Sequence, residues 1–539
     1  MVNTNNKRKL EELLHKQLGS SKALLKEWED NPYMTDGETV SNFWKEVEDA
    51  EYIRIIGDYD VDGICACHIM LTSIQSVFPD KRISVRIPRR FSEGYGINNA
   101  IADEIISTAP KGSLIITVDN GIAAGEVIKK IRAAGHRVIV TDHHEMREGG
   151  VLPEAEMLID PSVKELPNPF TGNYWCGAGV AYKLCEPIIS EELSKELEVF
   201  AGLATIADCM ELKEGNWAIV RKAIKTFRAK KAPKALKMLL KEMGQDPNFC
   251  NEDHFGFYLG PAFNAPGRLL DRGAIEVLKY LHNPTEEGCK RIVALNDQRK
   301  KIRDDEFAIV KSYISTHGLT ESNPIWVAIP GLHEGIVGIL AGKVAEEYKR
   351  PAIVLTNTED GNFKGSARSY GDFNVFKYLS SMFELFVKMG GHKGAAGLAI
   401  SPENFEIAKS HQLSNTEAKL AAEANFKTMT IMPNEIPGIS STLNKFRPFG
   451  EGNAAPLFEM EIDSAVNNIK MIGDKKNHLL IMGDRYKITH FNHYDKPLSN
   501  ENRFGIIGKI NGSAFAGKET PTFNVEEAFD ITDEKEKGR

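Results

Sequence analysis

Ile53-Arg54-Ile55-Ile56-Gly57-Asp58-Tyr59-Asp60-Val61-Asp62-Gly63-Ile64-Cys65-Ala66-Cys67 is the stretch from which the rest of the chain can be read. A short β-branched run gives way to three acids at alternate positions, then a glycine, then an apolar helix start. The pattern predicts strand, turn and helix. Alternate residues of an extended segment share a face, so part of the Asp58, Asp60 and Asp62 set is expected to point one way. Carboxylates crowded in this manner repel, and a divalent cation is the compact source of compensating charge because hard cations take oxygen ligands.

Outward from this stretch the pattern repeats. Ile53–Ile56, Ile83–Ile87, Leu114–Val118 and Val138–Val140 are apolar runs, with helical stretches such as Asn99–Ala109 and Ala123–Ala134 between some of them. Alternating strands and helices predict an α/β fold with a mostly parallel sheet. Such sheets carry their sites at the carboxyl ends of the strands. Thr117-Val118-Asp119-Asn120-Gly121, Thr141-Asp142-His143-His144-Glu145 and Met157-Leu158-Ile159-Asp160-Pro161 all stand at such ends. Further on, Gly177–Ser190 and Glu192–Ile206 read as buried helices, the second leading into Asp208. A charge after so apolar a stretch needs a partner.

Asp58, Asp60, Asp62, Asp119, Asp208 and an imidazole from His143 or His144 exceed the needs of one metal and suffice for two that share a carboxylate. Carboxylate and imidazole without thiolate favour Mn²⁺ or Mg²⁺ over structural zinc. Two such ions suit in-line hydrolysis of a phosphoester or phosphoanhydride. Vicinal histidines in a strand or turn point apart, so one is expected to ligate and the other to donate to a phosphate oxygen or leaving group.

The totals set limits. The chain has 539 residues, 42% hydrophobic and 26% charged, which is ordinary globular composition with room for several domains. No apolar run is long enough to span a membrane, and Met1–Lys7 lacks the apolar core of a signal peptide, so a cytoplasmic protein is expected. Seven scattered cysteines without a CxxC pair argue for a reducing compartment, with Cys65 and Cys67 as buried small side chains. A net charge of −8 excludes a whole-chain basic footprint, so any polyanion must be held by local patches and metal.

The remaining chain divides by composition. Residues 1–50 are charged and helical, 51–215 form the first α/β domain, and 216–320 a helical insert, basic over 215–250, that ends in a long connecting helix from about Thr285 to Thr316. Within the insert, Gly260-Pro261-Ala262-Phe263-Asn264-Ala265-Pro266-Gly267-Arg268 is too rich in glycine and proline for regular structure. A second α/β unit occupies 321–425 and carries His333-Glu334-Gly335, Gly365-Ser366-Ala367-Arg368-Ser369 and Gly390-Gly391-His392-Lys393-Gly394-Ala395-Ala396-Gly397, read as glycine-rich loops suited to phosphate. Residues 426–530 predict five short strands, Glu459–Ile462, His478–Met482, Lys487–Phe491, Phe504–Ile510 and Thr522–Ala528, in an OB-like barrel. The charged tail 531–539 is expected to be disordered.

Asp142-His143-His144 is the signature of the DHH phosphoesterases, and Gly57–Gly63, Thr117–Gly121, Thr141–His144 and Thr205–Asp208 resemble that superfamily's motifs in order. Arg90–Gly96, Gly260–Arg268, His333–Glu346, Gly365–Ser369, Gly390–Gly397 and Phe446–Asn453 resemble blocks of the RecJ single-strand exonucleases. The departures, Pro266 and Ala367 where the family pattern has alanine and glycine, remove no catalytic group.

The resemblance implies a DHH catalytic domain, a DHHA1 domain facing it across a narrow cleft, and an OB domain that grips single strands. It implies a 5′→3′ exonuclease on single-stranded DNA, acting in repair and recombination, with two divalent cations, Mn²⁺ preferred or Mg²⁺. Carried over by position, Asp58, Asp60, Asp62, Asp119, His143 and Asp208 are metal ligands, Asp142 orients a histidine, and His144 assists at the phosphate. Arg90, Asn264, Arg268, Ser366, Arg368, Gly391 and His392 bind the strand and its terminal phosphate. A helicase and a single-strand-binding protein are the implied partners, and a monomer is expected. The alternatives are a DHH phosphoesterase of oligoribonucleotides or cyclic dinucleotides and a non-catalytic replication scaffold. The scaffold reading is disfavoured because all the motif acids remain.

Overall fold

The computed structural model of the chain describes residues 4–30, 35–146, 149–170, 175–413, 428–463, 469–472, 478–491, 503–515 and 518–530. The predicted disorder of 531–539 lies outside these residues. Two compact units result: Met1–Asn264 with Ala274–Arg291 and Lys427–Arg539, and Ala265–Gly273 with Ile292–Phe426.

The first unit opens with helices α1 (Thr4–Leu18), α2 (Lys22–Asp30) and α3 (Gly37–Asp49). Strands β1 (Tyr52–Ile56), β2 (Arg82–Arg86), β3 (Leu114–Val118), β4 (Arg137–Thr141) and β5 (Met157–Ile159) follow, linked by α4 (Val61–Val77), α5 (Asn99–Thr108) and α6 (Gly125–Ala133). The sheet is parallel throughout, in the order β2-β1-β3-β4-β5. β3 is buried at every position, as a strand covered on both faces must be. On one face Ile56, Ile115, Val138 and Val140 pack with Ile101 and Ile105 of α5 and Ile128 and Ile131 of α6. Helix α4 packs against α7 (Gly177–Cys185) and α8 (Glu191–Ala207), and its buried residues run nearly all round it.

The chain leaves β1 toward β2 on one side and returns to β3 on the other. The order therefore reverses between β1 and β3, and a crevice opens outside their carboxyl ends. Asp58–Asp62 follow β1 and Asp119 follows β3, so the topology itself gathers these acids.

Helices α9 (Glu214–Thr226) and α10 (Lys234–Glu242) lead to α11 (Gly260–Leu269), α12 (Gly273–His282) and α13 (Glu286–Thr316). The glycine- and proline-rich segment expected to be irregular is thus a helix, with Pro266 inside it and the π-helical turn His254–Leu259 directly before it. Burial overrides propensity here. Ala262, Phe263 and Ala265 are fully buried.

The second unit holds β6 (Ile325–Ala328), α14 (Val337–Tyr348), β7 (Ala352–Asn357), β8 (Phe363–Arg368), α15 (Val375–Ser380), β9 (Phe386–His392), β10 (Ala395–Ile400) and α16 (Pro402–Ser410). Its sheet has the order β6-β7-β8-β10-β9, parallel only at β6–β7. Gly365-Ser366-Ala367-Arg368 and Gly390-Gly391-His392, expected as loops, are strand residues. The glycines serve strand packing: a Cβ at Gly365 meets the Val354 carbonyl at 2.1 Å.

The C-terminal part of the first unit contains β11 (Met429–Thr430), α17 (Ile436–Leu443), β12 (Phe458–Asp463), β13 (Ile469–Ile472), β14 (His478–Met482), β15 (Lys487–His490), β16 (Arg503–Phe515) and β17 (Lys518–Asp530). These strands form one sheet of seven, where five were expected, in the order β11-β12-β16-β17-β15-β14-β13. Its core is completed by the N-terminal helices. Leu10, Leu14 and Leu18 on one face of α1, with Leu25 and Trp28 of α2, join Trp217, Phe458, Met460 and Phe523 in one cluster. Among the described residues, no helix is long and apolar enough to cross a membrane.

Candidate metal centre

The strand β1 ends at Ile56, so the three acids of the opening stretch do not converge by strand alternation. Asp58 and Asp60 lie in the turn, and Asp62 in the first turn of α4. Asp60 caps this helix, its Oδ1 accepting from the Gly63 N–H at 3.1 Å. Gly63 is fixed by space: a Cβ there falls 2.5 Å from the Asp58 nitrogen. Asp62 receives the N-terminus of α7, its two oxygens accepting from the N–H groups of Gly177 at 2.6 Å and Ala178 at 2.7 Å. These two bonds at a helix N-terminus fix the orientation of the carboxylate.

Asp119 follows β3 with φ of 61°, a left-handed conformation that aspartate tolerates better than most side chains. Helix α7 approaches so closely that a Cβ on Gly177 meets the Asp119 Cβ at 2.5 Å. Asp119 is 2% exposed, and its Oδ1 has no hydrogen-bond partner. That oxygen lies 3.1 Å from His143 Nε2, which also stands 3.4 Å from Asp62 Oδ2 and 3.7 Å from Asp208 Oδ2. Asp208 caps the carboxyl end of α8. One imidazole nitrogen offers at most one proton, so it cannot satisfy three carboxylates at once.

The electrostatics agree. Burial and then Asp62, Asp60 and Asp58 hold the Asp119 carboxyl well above the usual range. Burial and Asp60 do the same to Asp58, and burial and Asp62 raise Asp60. Asp208 is pushed up to about 8 by burial, Asp62 and Asp60. Burial lowers His143, against the pull of Asp62, and so favours the neutral ring that ligates. An excess of buried carboxylates, one with an orphaned oxygen, around a neutral imidazole is a donor set that could hold a divalent cation. Two sets of donor atoms, each within 4.8 Å of one another, are formed by Asp62, His143 and Asp208 and by Asp119, His143 and His144. Asp58 and Asp60 belong to neither set.

His144 is held differently. Its Nδ1 lies 2.7 Å from Asp142 Oδ1, and the Tyr95 hydroxyl lies 3.1 Å from its Nε2. Asp142 in turn accepts from the N–H groups of His143 at 2.8 Å and Ile122 at 3.0 Å. Burial opposes the charged ring of His144, but the Asp142 hydrogen bond and charge raise it to about 9. The two histidine rings do not diverge as expected; their centroids are 4.4 Å apart, and their partners alone distinguish them.

Arg90 lies in the same unit, over the face of Tyr59. Asn264 is half-buried on α11. The other predicted phosphate residues belong to the second unit. There Arg268 Nη1 donates to the Gly335 carbonyl at 3.2 Å, and Arg368 Nη1 donates to Ser366 Oγ at 2.5 Å. A Cβ on Gly338, in the first turn of α14, meets Arg368 Nη2 at 3.1 Å. Arg268, Ser366 and Arg368 thus gather around the start of α14, an arrangement suited to an anion. Gly391 and His392 are exposed beside the β9–β10 turn. Sequence reasoning missed Tyr59 and Tyr95. Both lie in quoted motifs, but only folding brings their rings to this crevice.

Family models match in three places: the DHH family N-terminal domain over residues 52–210, the DHHA1 domain over 322–412 and the RecJ OB domain over 433–527. The single-stranded-DNA-specific exonuclease RecJ of Bacillus subtilis is 31% identical over 499 residues, 89% of this chain and 62% of that protein. The protein of the same description from Salmonella typhimurium is 31% identical over 377 residues, 66% of this chain and 64% of that protein. The chain therefore spans a little under two thirds of these relatives' length. A crystal structure of RecJ with Mn²⁺ from Thermus thermophilus superposes with a TM-score of 0.74 at 22% identity, covering 96% of this chain and 75% of that one. A structure of exonuclease RecJ bound to manganese gives 0.57 at 25% identity, covering 73% of this chain and 96% of that one. In its motifs, its fold and these three successive domains, the chain is similar to the RecJ proteins of the DHH family.

Proposed function

We propose that this protein is a metal-dependent exonuclease that degrades single-stranded DNA from the 5′ end to 5′-mononucleotides by phosphodiester hydrolysis. The observation that carries the reading is the sharing of His143 Nε2 among Asp62, Asp119 and Asp208, within a chain of RecJ domain order. Asp58, Asp60, Asp62, Asp119, His143 and Asp208 hold two divalent cations, Mn²⁺ in preference to Mg²⁺. When bound, such ions activate water and stabilise charge on phosphate oxygens.

The chain's own groups do the rest. Asp142 fixes the His144 ring through Nδ1, so the proton on Nε2 is the one presented to a phosphate or leaving oxygen. With its proton held to about pH 9, His144 is a donor at neutral pH. Arg90, Asn264, Arg268, Ser366, Arg368, Gly391 and His392 bind the strand, the arginines taking the terminal 5′-phosphate because a planar guanidinium matches phosphate geometry. The OB domain grips the single strand. We extend the reading to a cytoplasmic monomer that acts in repair and recombination beside a helicase and a single-strand-binding protein.

The test is single-stranded DNA labelled separately at each end, with Mn²⁺ and with EDTA. Immediate metal-dependent release of a labelled 5′-mononucleotide is the expected outcome. Hydrolysis of short RNA or cyclic dinucleotides without DNA cleavage overturns the substrate, and no hydrolysis of any of these overturns the reading.

A further inference from the structure

Three arginines lie close together at and after the end of β2, and the fold uses them differently. Arg86 is fully engaged: its guanidinium donates to Glu104 Oε2 at 2.9 Å, Glu93 Oε1 at 2.6 Å and the Ile87 carbonyl at 2.5 Å. Arg89 is tied to the same Glu93, donating its backbone N–H to Oε2 at 2.8 Å with its Nε 3.7 Å from Oε1. These contacts pin the loop from both ends of Glu93. Arg90 is the exception. Among the described residues its guanidinium has no hydrogen bond or ion pair; instead its Cζ stands 4.6 Å from the centroid of the Tyr59 ring.

A guanidinium lying on an aromatic face is held through its plane and keeps its N–H edge open for a planar acceptor. Tyr59 sits between Asp58 and Asp60, so the shelf is part of the turn that carries the acids. The shelf is itself braced: the Tyr95 ring meets it edge-on at 6.4 Å and 86°. The Tyr95 hydroxyl donates to the Asp119 carbonyl at 3.2 Å. Ring, guanidinium and acid cluster are therefore fixed relative to one another within one unit.

We infer that Tyr59 is a positioning residue for end recognition, a stacking shelf that sets Arg90 with its donors open to the terminal phosphate of the strand. The inference rests on the reading of Arg90 as a phosphate ligand. It assigns to Tyr59 its ring face and not its hydroxyl.

The test uses the full chain with Mn²⁺ and matched single strands bearing a 5′-phosphate or a 5′-hydroxyl, for wild type, Tyr59→Phe, Tyr59→Leu, Arg90→Ala and the Tyr59→Leu/Arg90→Ala double variant. Tyr59→Phe keeps the face and is expected to keep the wild-type preference for the phosphorylated strand. Tyr59→Leu is expected to raise KM on that strand about fivefold to tenfold, the worth of one partly desolvated cation–π contact, and to leave KM on the 5′-hydroxyl strand unchanged. Arg90→Ala added to Tyr59→Leu is expected to cost less than Arg90→Ala costs in the wild-type background. An unchanged preference in Tyr59→Leu, or an equal rise in KM on both strands, overturns the inference. If Tyr59→Leu loses turnover, the ratio of its affinities for the two strands, measured in Ca²⁺ without cleavage, decides in the same way. Wild type that degrades DNA without regard to the 5′ end removes the role of Arg90 and this inference with it. Wild type that degrades neither strand refutes the proposed function, and the Ca²⁺ affinity ratio then still decides on Tyr59.

Discussion

Replacing Asp208 by asparagine is expected to stabilise the metal-free protein and destabilise the metal-bound one. Asp208 and Asp62 place carboxylate oxygens within 4.8 Å of each other. Two full charges at that separation repel by about 3 kcal/mol at an effective dielectric constant of about 20. The Asp208 side chain is 31% exposed, and water screens part of this, so a gain of about 1–3 kcal/mol is expected in EDTA. The sign with pH follows from the proton count. The folded carboxyl keeps its proton up to about pH 8, while the unfolded one releases it near the ordinary value of 3.8. Between these values the native state binds more protons, so wild-type stability falls as pH rises, and Asp208→Asn removes that slope. The gain should be negligible near pH 4 and largest near pH 8. For the transition that contains this domain it corresponds to an apparent Tm rise of about 3–8 °C. Saturating Mn²⁺ should reverse the order, because ligand binding to the native state stabilises wild type more. The assay is scanning calorimetry in EDTA and in Mn²⁺ across pH 4–8. An Asp208→Asn protein less stable than wild type in EDTA at pH 8, or a wild-type Tm unmoved by Mn²⁺, refutes the reasoning.

Asp119→Asn and His143→Ala should each lower Mn²⁺-dependent hydrolysis at least about a thousandfold, with unchanged far-ultraviolet circular dichroism, because each removes a ligand from the centre. Asp142→Asn takes away the partner of His144 Nδ1; turnover should fall about tenfold to a hundredfold. The alkaline limb of the pH–rate profile, set near 9 by His144, should also move toward neutrality, and an unmoved limb removes His144 as the proton donor. Trp28→Ala opens the cluster in which Trp28 meets Trp217 edge-on at 5.8 Å and should cost about 3–5 kcal/mol, read as a lower urea midpoint for the C-terminal sheet. A midpoint equal to that of wild type shows that the N-terminal helices do not support that sheet.

Much of this molecule is determined locally. β-branched runs followed by glycine and an apolar helix start specify parallel strands and crossovers because the backbone has few other ways to bury them. Acids at strand ends then mark the site, since an α/β sheet leaves only its carboxyl edge open to solvent and ligand. Asp58, Asp60, Asp119, Asp142, His143 and His144 follow strands and were legible in this way, Asp62 as the third of the alternating acids, and Asp208 as a charge closing an apolar helix. Local rules failed where burial outweighed propensity. Gly260–Leu269 is helical despite two prolines because Phe263 and its alanine neighbours are buried, and the glycines of β8 and β9 belong to strands because neighbouring backbones need the space.

The sequence by itself determined which groups are present, their order, and the chemistry that carboxylate and imidazole can support. Only the tertiary structure decided which of them meet. The reversal of strand order between β1 and β3 brings Asp62 and Asp119 to one nitrogen of His143, and the packing of α8 on α4 and α7 brings Asp208 there from far along the chain. The same folding seats Arg90 on Tyr59 and Tyr95 on His144, contacts that no spacing encodes. The physical reason is that a side chain's reach is a few ångströms while its sequence separation is unlimited. Packing of distant elements, not local propensity, therefore sets the distances on which charge and catalysis depend.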